Sequence, residues 1–316
     1  MTTSSEATTA APAVAVLGSA NADLVVEVDR RPAGGETIIG SDLQQFAGGK
    51  GANQSAACAK AGSSTLFVGC VGEDSNGEFL VRSLEQAGVD VSSVNRIAKP
   101  SGTAIIFLTP DGENSIVVSP GANAAFDVEI AKATQPVWSR ADAVVMNFEL
   151  PMATVNYVAA AAATHNQRVI LNAAPAFSVD EATLRVCDPL VVNEHEAEVV
   201  LGEKLDNYER VAQALRGKGA RSVVITLGGD GAVAADEDGV FRIPAYEVDV
   251  VDTTGAGDAF VGALASELSA GTTLRGAMEF ATAMSAIAVQ KHGAQPSYVT
   301  RNVVEAFISE NQTRSQ

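Results

Sequence analysis

Short apolar runs separated by longer amphipathic stretches dominate the chain. The runs at 14–18, 66–69, 143–147, 169–172, 190–193 and 222–227 are rich in Val, Ile and Leu, and several end on Gly or Asn. Positions that are apolar in succession rather than in alternation predict strands buried on both faces, as in parallel sheets. Between them, Ala-rich stretches at 51–61, 153–165 and 208–218 carry helical spacing. The repeated strand–helix–strand order predicts a doubly wound, mostly parallel sheet with helices on both faces.

Two regions depart from that order. Residues 24–46 alternate, as Leu24-Val25-Val26-Glu27-Val28 and then Thr37-Ile38-Ile39. Residues 103–109 and 114–119 read as two strands around the turn Pro110-Asp111-Gly112-Glu113. Strands without intervening helices predict a small antiparallel β lid, discontinuous in sequence, from about 23–47 and 101–120. A lid with one apolar face suits pairing with a copy of itself, so a homodimer through the lid is expected. Residues 13–316 show no repeat and no dividing linker, and are expected to form one domain. Residues 1–12 are rich in Thr, Ser and Ala without the basic and apolar regions of a signal peptide, and are expected to be a disordered leader.

Composition narrows the ligands. Apolar residues make up 47% of the chain, enough for a sizeable core. Its 21 basic and 38 acidic residues leave a net charge of −17, which repels nucleic acid and anionic lipid. A phosphate-bearing ligand therefore needs local positive potential from backbone N–H groups and a few cations. No run approaches the ~18 apolar residues of a membrane span. Cys58, Cys70 and Cys187 lack the paired spacing of a zinc or redox motif and fit a core in a reducing, cytoplasmic compartment.

The sharpest chemical signal is Val251-Asp252-Thr253-Thr254-Gly255-Ala256-Gly257-Asp258-Ala259-Phe260. A strand-like approach ends in two glycines, and a helix follows with Phe260, Leu264 and Leu268 on one face. Glycine leaves the amides of a helix N-terminus uncovered, which makes a cradle for an anion such as a migrating phosphoryl group. Asp258 lies at its edge, where a carboxylate takes a proton from an attacking hydroxyl; the plain alternative is a helix cap. Gly48-Gly49-Lys50-Gly51-Ala52-Asn53-Gln54 lacks the spacing of a Walker A loop but suits close backbone approach by a polar ligand. Lys50 would equally serve as a solvated loop lysine. Asn193 and Glu196 share a face at a helix start, where they would orient hydrated Mg²⁺ or merely complement the helix dipole. Thr226-Leu227-Gly228-Gly229-Asp230-Gly231 fits a nucleotide cover or a plain hairpin turn. His165, His195 and His292 are scattered, which gives no support to a metal cluster or a Ser-His-Asp triad. Gly18-Ser19-Ala20-Asn21 after the first strand is not a dinucleotide fingerprint.

Together these segments resemble the PfkB carbohydrate kinase family, and within it the ribose-phosphorylating members. The resemblance rests on Gly18 to Asp23, Gly48 to Gln54 and Asp252 to Asp258 in that order. It is joined by Met146-Asn147-Phe148-Glu149, Leu171-Asn172-Ala173-Ala174-Pro175-Ala176, Asn193 to Glu198 and Gly293-Ala294-Gln295-Pro296-Ser297. It implies phosphorylation of D-ribose at O5 by ATP, with Asp258 as base and the Gly255, Ala256, Gly257 and Asp258 amides as anion hole. Asn21, Asp23, Gly49, Lys50, Asn53 and Glu149 would hold the sugar. Asn193, Glu196, Thr226, Gly228, Gly231, Gly257 and Thr282 would contact ATP and its Mg²⁺. A monovalent cation, K⁺ or a similar ion, would sit among Asp252, Thr254, Ala288, Lys291, Gly293 and Ser297. Two positions depart from the family pattern: Gly228-Gly229-Asp230, where a serine and a basic residue are common, and Thr282, where better-known relatives carry asparagine. Three other readings stand beside this one: a kinase for 2-deoxyribose, fructose, adenosine or a related compound, a non-catalytic sugar sensor, and a nucleotide-binding protein with no sugar site.

Overall fold

A computed structural model describes residues 13–110, 114–204 and 206–314. The expected leader at 1–12, and Asp111, Gly112 and Glu113 of the expected lid turn, lie outside them. The strands are β1 (Val14–Leu17), β2 (Asn21–Glu27), β3 (Gln44–Gly48), β4 (Thr65–Gly72), β5 (Asp90–Ile97), β6 (Gly102–Leu108), β7 (Asn114–Ser119), β8 (Ala143–Asn147), β9 (Arg168–Asn172), β10 (Cys187–Asn193), β11 (Val223–Thr226), β12 (Ala232–Ala235) and β13 (Val240–Ile243). The helices are α1 (Lys50–Lys60), α2 (Ser75–Ala87), α3 (Val128–Trp138), α4 (Met152–Thr164), α5 (Glu181–Leu184), α6 (Glu194–Leu201), α7 (Tyr208–Gly217), α8 (Ala256–Ser269), α9 (Leu274–Ala288) and α10 (Arg301–Arg314).

Nine strands form the main sheet in the order β13-β12-β11-β10-β9-β8-β1-β4-β5. From β11 to β5 every pairing is parallel, and β12 and β13 add an antiparallel edge. The continuous apolar runs are explained by burial on both faces. In β1, Ala15 and Leu17 belong to the buried core on one face, which also holds Trp138 of α3, Val155 of α4 and Val211 of α7. Val14 and Val16 pack on the opposite face with Ala57 of α1, Leu264 of α8 and Met278 of α9. The three cysteines are buried in these layers and unpaired. Burial pushes the Cys58 thiol up to about 11 and those of Cys70 and Cys187 up to about 12, so all three stay protonated and unreactive.

The small sheet has the order β3-β2-β6-β7. It is antiparallel at β2·β3 and β6·β7, while β2·β6 is parallel. Residues 37–39, expected from their apolar character to be strand, form none. Gly34, Gly35 and Gly40 flank them, Ile39 is 95% exposed, and the chain is tied back at Ser41, whose N–H donates to the Glu27 carbonyl at 2.9 Å. The strand that pairs with β2 comes later, as β3.

Strand order reverses at β1: the chain goes to β4 and β5 on one side and resumes with β8 to β11 on the other. A crevice opens outside the carboxyl ends of the strands at such a switch point. Asn147 ends β8, Asn172 ends β9, Asn193 ends β10 and Thr226 ends β11, all at that end of the sheet. Behind it α1 crosses α8 at very short range. A Cβ placed on Gly262 of α8 would meet the Gln54 carbonyl at 2.5 Å and Ala57 Cβ at 2.6 Å, so only hydrogen fits there. Gly262→Val is therefore expected to lower stability to urea by about 1–3 kcal/mol through overpacking. An unchanged denaturation midpoint would contradict the close crossing.

Candidate active site

Helix α8 begins just after Gly255, which has φ 75°. That left-handed turn and the neighbourhood both demand glycine, since a Cβ would meet Ala294 Cβ at 2.5 Å and Tyr298 Oη at 2.7 Å. Two hydroxyls fix the turn: Tyr298 donates to the Gly255 carbonyl at 3.0 Å and Ser285 to the Ala256 carbonyl at 2.7 Å. The amides of the first turn have no intrahelical carbonyl to bind. Above Gly257 the space is open, with no atom within 4 Å of where a Cβ would stand. The Ala256 N–H donates back to the Thr253 carbonyl at 3.2 Å, so the uncovered part of the turn is the stretch around Gly257, at the positive end of a helix of 14 residues.

Asp258 is the third residue of α8 and is 7% exposed. It does not cap the helix, because Gly255 holds that position. Its Oδ2 accepts from Asn53 Nδ2 and its Oδ1 from Gln54 Nε2, both at 3.0 Å. The donors are consecutive residues of α1, and the α1–α8 crossing brings them there.

Facing Asp258 is a cluster of acids around one ammonium. Glu149, just past β8, accepts with Oε2 from Ser19 Oγ at 2.5 Å and from the Lys50 N–H at 3.0 Å. Asp23, on β2, feels both Glu149 and Asp258. Burial first, then those two carboxylates, push its carboxyl up to about 7. Lys50, the first residue of α1, is no solvated loop lysine. Asp258 above all, with Glu149 and Glu196, raises its pKa against the opposing effect of burial. Asn21 opens β2, is 4% exposed, and accepts with Oδ1 from Asn123 Nδ2 at 2.8 Å. Gly49 precedes Lys50 at the helix cap.

The residues expected to meet ATP run along the strand ends. Asn193 and Glu196 form a reciprocal cap on α6: Asn193 Oδ1 accepts the Glu196 N–H, and Glu196 Oε2 accepts the Asn193 N–H, both at 2.8 Å. Glu196 is buried, which raises its pKa against the Asn193 bond and the Lys50 charge. One of its oxygens, Oε1, remains for other partners. Thr226 pairs in register with Asn193. Gly228 and Gly231 form the tight turn between β11 and β12, so that segment is a hairpin connection in this fold. Thr282 lies in α9 one turn before Ser285; its buried Oγ1 has no hydrogen-bond partner.

The expected cation residues come from two segments that are stitched together. The Val251 and Asp252 N–H groups donate to the Val289 carbonyl at 2.8 and 3.1 Å. Asp252 accepts with Oδ2 from the Gly293 N–H at 2.8 Å and with Oδ1 from the Thr254 N–H at 2.9 Å. Burial works to raise the Asp252 carboxyl, but bonds from Thr254 and Gly293 hold it below its ordinary value, as an anion. The Ala288 carbonyl accepts from the Lys291 N–H at 3.1 Å, and Ser297 Oγ donates to the Ala294 carbonyl at 2.7 Å. Backbone carbonyls with a single carboxylate make an oxygen-only donor set of low charge, which suits a large monovalent ion better than a divalent one.

Sequence reasoning missed the polar residues behind the site: Ser19, Gln54, Asn123, Ser285, Gln295 and Tyr298. The one available signal was a buried-type position filled by a polar side chain, such as Gln54 within an Ala-rich helix.

The sequence profile of the pfkB family carbohydrate kinases matches residues 11–301. The chain is similar to a ribokinase of Schizosaccharomyces pombe, with 38% identity over 90% of this chain and 94% of the relative. It is also similar to a deoxyribokinase of Salmonella typhimurium, with 32% identity over 95% of this chain and 99% of that one. Among solved structures it resembles the Arabidopsis thaliana ribokinase complexed with ribose and ATP. There the TM-score is 0.85 and the identity 33%, over 95% of this chain and 99% of that one.

The Asp23 carboxyl gives a stability test. In the folded, ligand-free chain it stays protonated up to about 7, against an ordinary value of 3.8, so the folded state binds more protons across that window. Stability therefore falls as pH rises from roughly 4 to 7, by up to about 4 kcal/mol from this group. Asp23→Asn is expected to melt level with the parent near pH 4 and above it at pH 8. Parallel melting curves across that range would contradict the assignment.

Proposed function

The chain belongs to the pfkB family of carbohydrate kinases, and from that premise we propose that it transfers the γ-phosphoryl group of ATP to the 5-hydroxyl of D-ribose. It is an ATP-dependent sugar kinase. One observation carries the mechanism: a buried carboxylate, Asp258, stands within the first turn of a helix that starts at a glycine with open space above Gly257. As O5 bonds to the γ-phosphorus and the bridge to the β-phosphate breaks, the O5 proton passes to Asp258. The Gly255, Ala256, Gly257 and Asp258 amides take up the charge on the transferring group. Asp23 and Glu149 accept hydrogen bonds from the sugar hydroxyls, while Asn21, Gly49, Lys50 and Asn53 complete the clasp. Lys50, amid Asp258, Glu149 and Glu196, supplies the cation that an acidic protein needs beside a nucleotide.

Nucleotide contacts fall to Asn193, Thr226, Gly228, Gly231 and Thr282. A kinase of this family works on ATP with a divalent metal; this would be Mg²⁺, with Glu196 as the residue that would hold it beside the phosphates. Asp252, Thr254, Ala288, Lys291, Gly293 and Ser297 would hold K⁺ or a similar ion, which would stiffen the turn that leads into Gly255. Residues 23–47 and 101–120 act as a lid that excludes water once sugar is bound. One face carries Ile105 and Val117, register partners on β6 and β7 that are 41% and 60% exposed, and pairs with a second copy of the chain. Among the described residues no helix is long and apolar enough to cross a membrane. ATP supply and free thiols support a cytoplasmic setting.

The deoxyribokinase similarity supports a second reading, in which 2-deoxyribose is the substrate. A panel of sugars in a coupled kinase assay separates the two: a site that hydrogen-bonds O2 favours ribose in kcat/KM, and equal values for both pentoses would remove the ribose assignment. Asp258→Asn is expected to lower kcat by a factor of roughly a hundred to ten thousand with ribose binding retained; near-normal turnover would defeat the mechanism. Val117→Glu is expected to turn a dimer into a monomer in sedimentation, and a parent that sediments as a monomer would refute pairing through the lid.

A further inference from the structure

Two chains of amide donors converge on Asp258, and two of their members, Gln54 and Gln295, have no part in the function proposed above. In the first chain Asn147 Nδ2 donates to Gln54 Oε1 at 3.4 Å, and Gln54 Nε2 donates to Asp258 Oδ1 and Asn172 Oδ1, both at 3.0 Å. Asn172 is itself held by donation from Nδ2 to the Val191 carbonyl at 3.2 Å. The second chain starts on α2, where Ser83 Oγ donates to Gln295 Oε1 at 2.9 Å. Gln295 Nε2 then donates to Asn53 Oδ1 at 3.1 Å, and Asn53 Nδ2 to Asp258 Oδ2 at 3.0 Å.

The links that lead to Asp258 all have the same polarity. In Asn147, Gln54, Gln295 and Asn53 the amide oxygen is engaged from behind by a donor, so the amide nitrogen is turned toward Asp258. Asn172 accepts from Gln54 and donates away to the Val191 carbonyl. Flipping any amide would set lone pair against lone pair. Gln54 is fully buried, and both hydrogens of its Nε2 are used, one on the carboxylate and one on Asn172. A side chain serving only to fill the space between α1 and the sheet has no need of this arrangement.

We infer that Gln54 is a positioning residue that holds the Asp258 carboxylate ionised and turned toward the sugar hydroxyl, with Gln295 supporting the same task through Asn53. The inference rests on Asp258 being the base. The charged and titratable groups around that carboxylate are Asp23 from β2, Glu149 beyond β8, Lys50 from α1, Glu196 from α6 and the Tyr298 hydroxyl. Three of the five are acids, and protonating Asp258 would relieve their repulsion. Hydrogen bonds donated to the ion oppose this, because they favour the charged form. Loss of a donor tips the balance toward the proton, and a protonated Asp258 cannot take the proton of the sugar hydroxyl.

The test is kcat against pH for the parent, Gln54→Met and Gln295→Leu, with ribose affinity measured by calorimetry. Gln54→Met is expected to move the acidic limb of the profile upward by about one pH unit, a loss of about tenfold in kcat on that limb. Ribose affinity should stay within about threefold. Gln295→Leu should move the limb in the same direction by less. A limb at the parent's pH in both variants overturns the inference, whatever happens to kcat or melting temperature, since a merely structural role lowers those without moving the limb. Should Gln54→Met not fold, Gln295→Leu decides by the same criterion. Asp258→Asn, assayed alongside, separates the two claims: turnover retained there defeats the base itself, whereas turnover lost there with unmoved limbs defeats only the role of the glutamines.

Discussion

The crossing of α1 over α8 governs the chemistry of this protein. It is tight enough that Gly262 admits no side chain, and this closeness lets two consecutive α1 residues reach a carboxylate more than two hundred positions away in sequence. A small displacement of either helix would leave Asp258 buried among acids with no donor on it. An unpaired ion there would be costly. The same crossing places Lys50, at the start of α1, opposite the amide-lined turn at the start of α8. One packing contact thus sets the proposed proton acceptor, the Lys50 ammonium and the proposed anion cradle relative to one another.

The second constraint is electrostatic. The net charge of −17 works against any nucleotide, and the crevice answers with dipoles and a single ammonium rather than with a basic patch. Backbone amides fit that task because they carry no counter-charge and need no reorganisation as negative charge develops. The cost appears at Asp23, whose carboxyl is pushed up to about 7 by burial and by its acidic neighbours. In the proposed mechanism, sugar hydroxyls that donate to Asp23 and Glu149 would favour their ionised forms.

Much of the fold was legible because it follows from local rules. Continuous apolar runs mark strands covered on both sides, and β8 ends where its run ends, at Asn147. The glycine turn before Asp258 announced a helix start, and α8 begins at Ala256. The acidic first turn at Asn193 to Glu196 was ambiguous for a physical reason: a capping box and a ligand site use the same side chains, and here the capping bonds are made. Residues 37–39 misled because β-branched residues between glycines look like strand whether or not a partner edge is available. The supporting polar residues were hidden for another reason. Gln54 and Gln295 act through contacts separated by 204 and 242 positions, which no periodicity in a single chain encodes.

The central claim is that Asp258 and the amides before it converge on one reacting centre with a pentose opposite. A crystal structure with D-ribose and a non-hydrolysable ATP analogue tests it most directly. The account predicts O5 within about 3 Å of the Asp258 carboxylate and the terminal phosphate seated on the Gly255 to Asp258 amides. A sugar bound with no hydroxyl in reach of Asp258, or a terminal phosphate lodged away from that turn, would contradict it.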